Sequence, residues 1–202
     1  MIDGLQIAFV GSLLLGMRHA TDADHVVAIT TIVTGEQSLH RAARIGLMWG
    51  IGHTLTILAV GMAIVLLKIV LTPRIGLSLE MTVAAMLILL GILNLVHPSP
   101  VERAPMLRPF IVGSVHGMAG SAAATLLIVP LIGDPQMAML YLAVFGIGTI
   151  AGMTLVTLAI AAPANLAASR FAGFDRGLRL AAGGLSLAFG TYLGYRAGFG
   201  LQ

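Results

Sequence analysis

Cysteine is absent from the 202-residue chain, and charged residues make up only 9% of it. The lack of cysteine excludes disulfide bonds, thiolate metal sites and redox-active thiol pairs, but it gives no indication of compartment. Ordinary soluble domains carry roughly 25% charged residues, so a soluble globular domain is excluded as well. What the chain has instead is a hydrophobic content of 58% and a mean hydropathy of +1.00. This composition indicates an integral membrane protein.

Several functional motifs are also missing. No G-x-x-x-x-G-K-[S/T] sequence occurs, so the chain is not expected to hydrolyse ATP, and no H-E-x-x-H sequence supports a zinc-dependent enzyme. The basic residues do not form a patch with interleaved aromatic residues, so no nucleic-acid partner is expected. The first residues lack the basic region of a cleavable signal, and the first apolar segment is therefore expected to remain as a membrane helix.

Apolar runs long enough to cross about 30 Å of hydrocarbon recur along the chain. They predict an all-α polytopic membrane protein, with residues 1–202 forming a single transmembrane domain. Turn and breaker residues separate the runs, including a linker expected around Pro163 and Asn165. The six predicted transmembrane helices lie at residues 4–34, 45–71, 77–96, 110–133, 136–163 and 177–198.

Lysine and arginine are unevenly distributed between the two sides of these spans. One side carries seven: Arg41, Arg44, Arg103, Arg108, Arg170, Arg176 and Arg179. The other side carries three: Lys68, Arg74 and Arg196. Because cytoplasmic loops are enriched in basic residues, we expect the first group to face the cytoplasm. The N- and C-termini would then lie outside a cell (inner) membrane that the chain crosses several times.

The chain resembles two copies of a three-helix unit. Residues 15–26 align with 112–123, which places His19 on His116, and WGIGHTLTI aligns with FGIGTIAGM. Both alignments have nearly the same offset. They predict one repeat over about 4–96 and a second over about 110–198. Because each repeat has three spans, the two would be inverted in the membrane, a plan in which secondary transporters bind substrate near the midplane.

Five titratable side chains interrupt the first predicted span: Arg18, His19, Asp22, Asp24 and His25. In a continuous helix, His19, Asp22 and His25 share one face, and Asp24 points away from it. An unwound segment would instead allow backbone groups to join the site. Imidazole and carboxylate without sulfur suit nickel, cobalt, zinc or ferrous iron. Asp24 is expected either to orient a ligand imidazole or to pair with Arg18. The alternative to a metal site is an Arg18–Asp22 ion pair that only fixes helix packing.

Two further histidines lie within predicted spans. His53 and His116 are about as deep, counted from the expected cytoplasmic ends, as His25. We expect them to complete the metal site or to form a second station, although a single membrane histidine can also simply bond to a neighbouring backbone. Thr54 and Ser121 are candidates for supporting polar contacts. Ser121 belongs to a stretch of small residues that favours close helix packing.

The sequence RHATDADH at 18–25 resembles the signature of the nickel/cobalt transporter family. GHT in the second span and VHGMAGSAA in the fourth resemble the short, urease-accessory-type nickel permeases related to that family. The resemblance implies a secondary permease for Ni²⁺ or Co²⁺ that requires His19, Asp22, Asp24 and His25 for transport. The larger members resemble eight-helix proteins with an additional first helix, whereas here the signature lies in the first span.

The expected function is therefore uptake of a divalent cation, which gains about 4.6 kcal/mol per 100 mV of membrane potential. Ni²⁺ or Co²⁺ would be the transported substrate, and no resident cofactor is expected. Efflux of the same ions is the main alternative, and a membrane metalloenzyme is a weaker one. The expected partners are the metal ion and the lipid bilayer, and the oligomeric state is left open.

Overall fold

The structure, a computed structural model, describes residues 4–68, 72–96, 105–118, 132–171 and 173–199. Helices are the only regular elements within these ranges, which confirms the all-α prediction. Seven of them occur there: α1 (Gly4–His19), α2 (Ala23–Val33), α3 (Leu39–Leu67), α4 (Pro73–Val96), α5 (Leu107–His116), α6 (Pro135–Arg170) and α7 (Phe174–Phe199).

Three stretches of the described chain are long and apolar enough to cross a membrane. They are Leu39–Leu67, Arg74–Val96 and Pro135–Arg170. Each corresponds to a predicted span, which is consistent with a multi-pass membrane protein. Most of the predicted fourth span, 110–133, lies outside the described residues, and the count of six spans stays a prediction.

The first predicted span is not one continuous helix. α1 ends at His19 and α2 begins at Ala23, and the Thr21 hydroxyl donates to the Arg18 carbonyl at 2.6 Å in the turn between them. Asp22 takes an extended backbone conformation as the N-cap of α2, a position that favours aspartate. The interpretation as a continuous helix is therefore wrong, because the turn at residues 20–22 changes the directions of the side chains on either side.

The linker expected around Pro163 and Asn165 is also wrong. α6 continues through Pro163 and ends at Arg170. A proline inside a helix removes one backbone hydrogen bond, but neighbouring helices can compensate for this in membrane proteins. The flanking alanines also have the highest helix propensity. The chain turns three residues beyond the helix end, where Gly173 has a φ of 80°.

Close helix contacts bring the histidine-bearing segments together. α3 packs along both α5 and α6, α1 packs along α6, and α4 packs along α7. At the contact between α1 and α6, any side chain at Gly16 would overlap with the carbonyl oxygen of Phe145. Asn94 on α4 donates from Nδ2 to the carbonyl oxygen of Thr31 on α2 at 3.0 Å. The end of α1, the start of α2, the middle of α3 and the end of α5 consequently meet in the interior.

Candidate metal site

Four imidazole rings form a buried cluster where these helices meet. His19 is the last residue of α1, His25 lies in the first turn of α2, His53 lies within α3, and His116 is the last residue of α5. His19 is 6% exposed and the other three are fully buried. Among His25, His53 and His116, the ring centroids are 4.3 to 6.0 Å apart. These three rings thus lie close together, and their common depth in the membrane stays a prediction.

One group of potential ligands consists of His19, His25 and His53. Each ring offers a nitrogen atom, and these atoms all lie within 4.8 Å of one another. The Nε2 atoms of His19 and His53 are 3.2 Å apart. Two imidazole nitrogens that bind one ion at about 2.1 Å, at tetrahedral or right angles, are about 3.0 to 3.4 Å apart. The spacing therefore fits two ligands of a single transition-metal ion.

A second group consists of Asp24, His25 and His116, whose ligand atoms also lie within 4.8 Å of one another. Asp24 Oδ1 is 3.0 Å from His25 Nδ1, and Asp24 Oδ2 is 3.1 Å from His116 Nε2. One carboxylate thus contacts an imidazole through each of its oxygens. His25 belongs to both groups, so the two potential stations are adjacent.

The carboxylates fix which ring nitrogen carries a proton. Asp22 Oδ2 lies 2.9 Å from His19 Nδ1, and Asp24 contacts His25 Nδ1. Because a carboxylate accepts, both Nδ1 atoms donate, and each Nε2 is left with a lone pair suited to a metal ion. His25 Nε2 is buried and has no hydrogen-bond partner among the described residues. An imidazole nitrogen of this kind is suited to bind an ion.

The charge of the cluster also suits a divalent cation. Neutral imidazoles contribute no net charge, and Asp22 and Asp24 together contribute two negative charges. The side chain of Asp24 is only 16% exposed and that of Asp22 is 44% exposed. Because an uncompensated charge within a membrane is costly, one divalent cation beside two carboxylates gives a favourable, electrically neutral arrangement.

Of the three remaining predicted site residues, the structure describes Arg18 and Thr54. Arg18 is exposed, and none of the ion pairs within the described ranges includes it. The two alternatives that paired Arg18 with Asp22 or Asp24 are therefore wrong. Thr54 donates to the Gly146 carbonyl at 3.2 Å and so links α3 to α6. Ser121 lies outside the described residues.

Two aromatic residues that the sequence analysis did not identify border the cluster. The ring of Trp49 is 5.6 Å from His25 and 5.9 Å from His116, and the ring of Phe145 is 5.5 Å from His19. Both are fully buried and exclude water from this side of the site. A signal was present, because each is the residue directly before Gly-Ile-Gly in the two aligned segments.

Comparison with known proteins agrees with this chemistry. Residues 6–98 match the NicO family model, described as high-affinity nickel-transport protein. The urease accessory protein UreH of Bacillus sp. (strain TB-90) is 33% identical over 216 residues, which cover 98% of this chain and 94% of that protein. No solved structure matches the chain. The chain therefore belongs to the family of high-affinity nickel-transport proteins, and it is a membrane metal transporter, not an enzyme.

Proposed function

We propose that this transporter is a Ni²⁺ permease that moves the ion into the cell, with Co²⁺ as a second possible substrate. The proposal depends chiefly on one observation: the buried donor atoms of His19, His25 and His53 lie within 4.8 Å of one another. These imidazoles are the first binding station for a dehydrated or partly hydrated cation. Nitrogen and oxygen ligands generally bind Ni²⁺ more tightly than Co²⁺, which favours nickel.

The second station consists of Asp24, His25 and His116. An ion passes between the stations by exchanging ligands around His25, because that ring belongs to both groups. Asp22 was expected to bind the metal ion directly, and this role stays a prediction. Its contact with His19 Nδ1 supports the role of holding that ring in place.

The domain organisation we propose is a single transmembrane domain over residues 1–202, with six spans in two inverted repeats at about 4–96 and 110–198. Equivalent glycine contacts support it. Gly16 on α1 meets the Phe145 carbonyl on α6, and Gly113 on α5 meets the Trp49 carbonyl on α3. Gly16 and Gly113 are 97 positions apart, and Trp49 and Phe145 are 96 apart. A two-fold relation between the halves requires such reciprocal pairs.

The third helices supply an independent reciprocal pair. A Cβ at Gly91 on α4 would lie 2.7 Å from the amide nitrogen of Leu187 on α7. A Cβ at Gly190 on α7 would lie 2.9 Å from the amide nitrogen of Ile88 on α4. Gly91 and Gly190 are 99 positions apart, and the residues they contact, Leu187 and Ile88, are also 99 positions apart. In this arrangement the halves rock against each other and alternate access to the central site.

The proposed orientation places the side with seven arginines in the cytoplasm and both termini outside the inner membrane. Arg41, Arg108 and Arg179 line one cavity, which supports their placement on a common side. The membrane potential then drives inward movement of the divalent ion, with a gain of about 4.6 kcal/mol per 100 mV.

Uptake of ⁶³Ni²⁺ by cells that express the full chain tests this function. His25→Ala removes a ligand common to both stations and is expected to lower uptake at least about 10-fold at equal membrane expression. His40→Ala is the matched control, because His40 is exposed at the start of α3. Equal uptake by both variants would refute the proposed site. Lower accumulation with the wild-type chain than with empty vector would show efflux instead.

The orientation is tested separately with single cysteines, because the chain contains none of its own. Arg44 and Lys68 are both exposed and lie near opposite ends of α3. A membrane-impermeant maleimide applied to intact cells should label Lys68→Cys but not Arg44→Cys. The reverse pattern would contradict the proposed topology.

A further inference from the structure

A cavity lies on the side of the histidine cluster where α3, α5 and α7 begin. It extends from the end of α2 to the last part of α4, and its lining combines three arginines with one glutamate and neutral polar groups. Its principal polar residues are Thr31, Glu36, Arg41, Asn94, Arg108 and Arg179. The charged side chains carry a net charge of +2, whereas the histidine cluster has two carboxylates.

Arg179 is the most unusual residue of this cavity. It is 5% exposed, yet its Nε has no hydrogen-bond partner among the residues the structure describes. Its guanidinium group lies against Gly35, whose φ is 84°, and a Cβ at Gly35 would overlap with it. Arginine stays charged in proteins, and a buried charge is costly unless it is paired and hydrogen-bonded. The cavity therefore contains a buried cation that is suited to pairing with an anion.

The glutamate in the lining does not supply that anion. Glu36 Oε2 lies 3.0 Å from Arg41 Nε, and Glu36 Oε1 accepts from the Ser38 amide at 3.1 Å. Both of its carboxylate oxygens thus have partners other than Arg179. No ion pair with Arg179 occurs among the residues that the structure describes.

The helix starts around the cavity increase its positive potential. Arg41 lies in the first turn of α3 and Arg108 in the first turn of α5, and neither helix has an acidic residue in that turn. Helix N-termini carry a partial positive charge that favours anions and disfavours basic side chains. Two helix starts, each with its own arginine, make an environment suited to binding an anion.

The cavity is distinct from the metal site. Thr31 in its lining follows His25 by six residues, which corresponds to about 9 Å along α2. A net charge of +2 repels a divalent cation, so the cavity is unsuited as a metal station. Basic pockets between membrane helices on the cytoplasmic side are suited to phosphate-bearing headgroups.

We propose that this cavity binds a phosphate-type anion, with Arg179 as its central ligand and Arg108 at its rim. The phosphate is either the headgroup of an anionic lipid or free inorganic phosphate, since the two have the same chemistry. Guanidinium groups bind phosphate oxygens through paired, charge-assisted hydrogen bonds. The proposal is independent of the metal bound by the histidines.

The test uses the purified full chain, depleted of lipid in neutral detergent. One arm measures binding of ³²P-labelled inorganic phosphate by equilibrium dialysis. The other counts phosphatidylglycerol and phosphatidylcholine molecules retained by the protein in native mass spectrometry. Saturable phosphate binding identifies the free anion, and selective retention of phosphatidylglycerol identifies a lipid headgroup. Either result supports the proposal, and the absence of both overturns it.

Variants connect the binding to the cavity. Arg179→Gln should weaken whichever binding is seen by at least about 10-fold, because it removes the charge from these hydrogen bonds. Arg176→Gln is the matched control, since Arg176 is exposed and lies on the same helix. Arg108→Gln serves if Arg179→Gln does not fold, and it should also weaken binding. The assignment would be overturned if Arg176→Gln weakened binding as much as Arg179→Gln does. It would also be overturned if neither Arg179→Gln nor Arg108→Gln weakened binding.

Discussion

Replacement of Asp24 by asparagine tests how the carboxylate organises the site. The substitution keeps the shape of the side chain but removes its charge and turns one oxygen into an NH₂ group. In the wild-type protein, one oxygen of Asp24 faces His25 Nδ1 at 3.0 Å and the other faces His116 Nε2 at 3.1 Å. In the variant, one of these imidazoles faces a donor where it had an acceptor.

The expected loss of metal affinity follows from these two contacts. A hydrogen bond to a charged group contributes about 1.5 to 3 kcal/mol, and a neutral one contributes about 1 kcal/mol. A loss of about 1 kcal/mol at each contact amounts to about 2 kcal/mol, or about 30-fold in the dissociation constant. This value lies within the range of about 10- to 100-fold observed when residues that orient metal ligands are changed.

Equilibrium dialysis of ⁶³Ni²⁺ with purified protein measures this loss. Asp22→Asn is the matched comparison, because Asp22 contacts one imidazole among the described residues, that of His19, and its side chain is 44% exposed. Solvent weakens such a contact, so we expect a loss below about 10-fold for that variant. If Asp24→Asn binds Ni²⁺ as tightly as wild type, or if Asp22→Asn loses more affinity, the assigned role of Asp24 is refuted.

Two further predictions concern packing and spectroscopy. Gly16→Leu should destabilise the protein by about 3 kcal/mol or more, because the leucine side chain would overlap with backbone atoms of α6. Gly11→Leu is the control, because Gly11 has open space around it and this variant should unfold like wild type. Equal thermal unfolding of the two variants would contradict the α1–α6 contact. Trp49 is the only tryptophan in the sequence, and its ring is 5.6 Å from that of His25. Paramagnetic Ni²⁺ bound at the cluster should therefore quench the tryptophan fluorescence, whereas Zn²⁺, a d¹⁰ ion, should not. Fluorescence that Ni²⁺ leaves unchanged would place the ion elsewhere.

The sequence predicted the helical class and the side chains that cluster, because hydrophobic runs and intramembrane histidines are strong local signals. The depth count grouped His25, His53 and His116 from the rise per residue along each helix, and their rings lie close together in the structure. The continued helix at Pro163 was not predicted, because the usual rule that proline ends a helix was applied without the surrounding helices.

The arrangement of the aspartates could not be predicted in the same way. A helical wheel places Asp24 on the side opposite the predicted ligand face, but in the structure Asp24 lies in the first turn of α2 and contacts both His25 and His116. Tertiary packing determines this contact, because His116 is 92 positions further along the chain. The role of Trp49 as a wall of the cluster likewise depends on the close approach of α3 and α5.

Opposite charges distinguish the metal site from the proposed phosphate site. Carboxylates face the imidazoles and favour a divalent cation, whereas arginines line the cavity about 9 Å further along α2 and favour an anion. The Thr31 carbonyl accepts a hydrogen bond from Asn94, which joins α2 to α4 in the lining of that cavity. Metal and phosphate binding are therefore measurable independently, with substitutions that do not overlap.

The central claim is that His19, His25 and His53 bind one nickel ion. X-ray absorption at the nickel K-edge of the loaded, purified protein tests it most directly, because multiple scattering from imidazole rings counts the histidine ligands. We predict scattering from three rings in wild type and from two in His53→Ala, with His40→Ala unchanged. A spectrum without imidazole scattering, or one that is the same in wild type and His53→Ala, would contradict the claim.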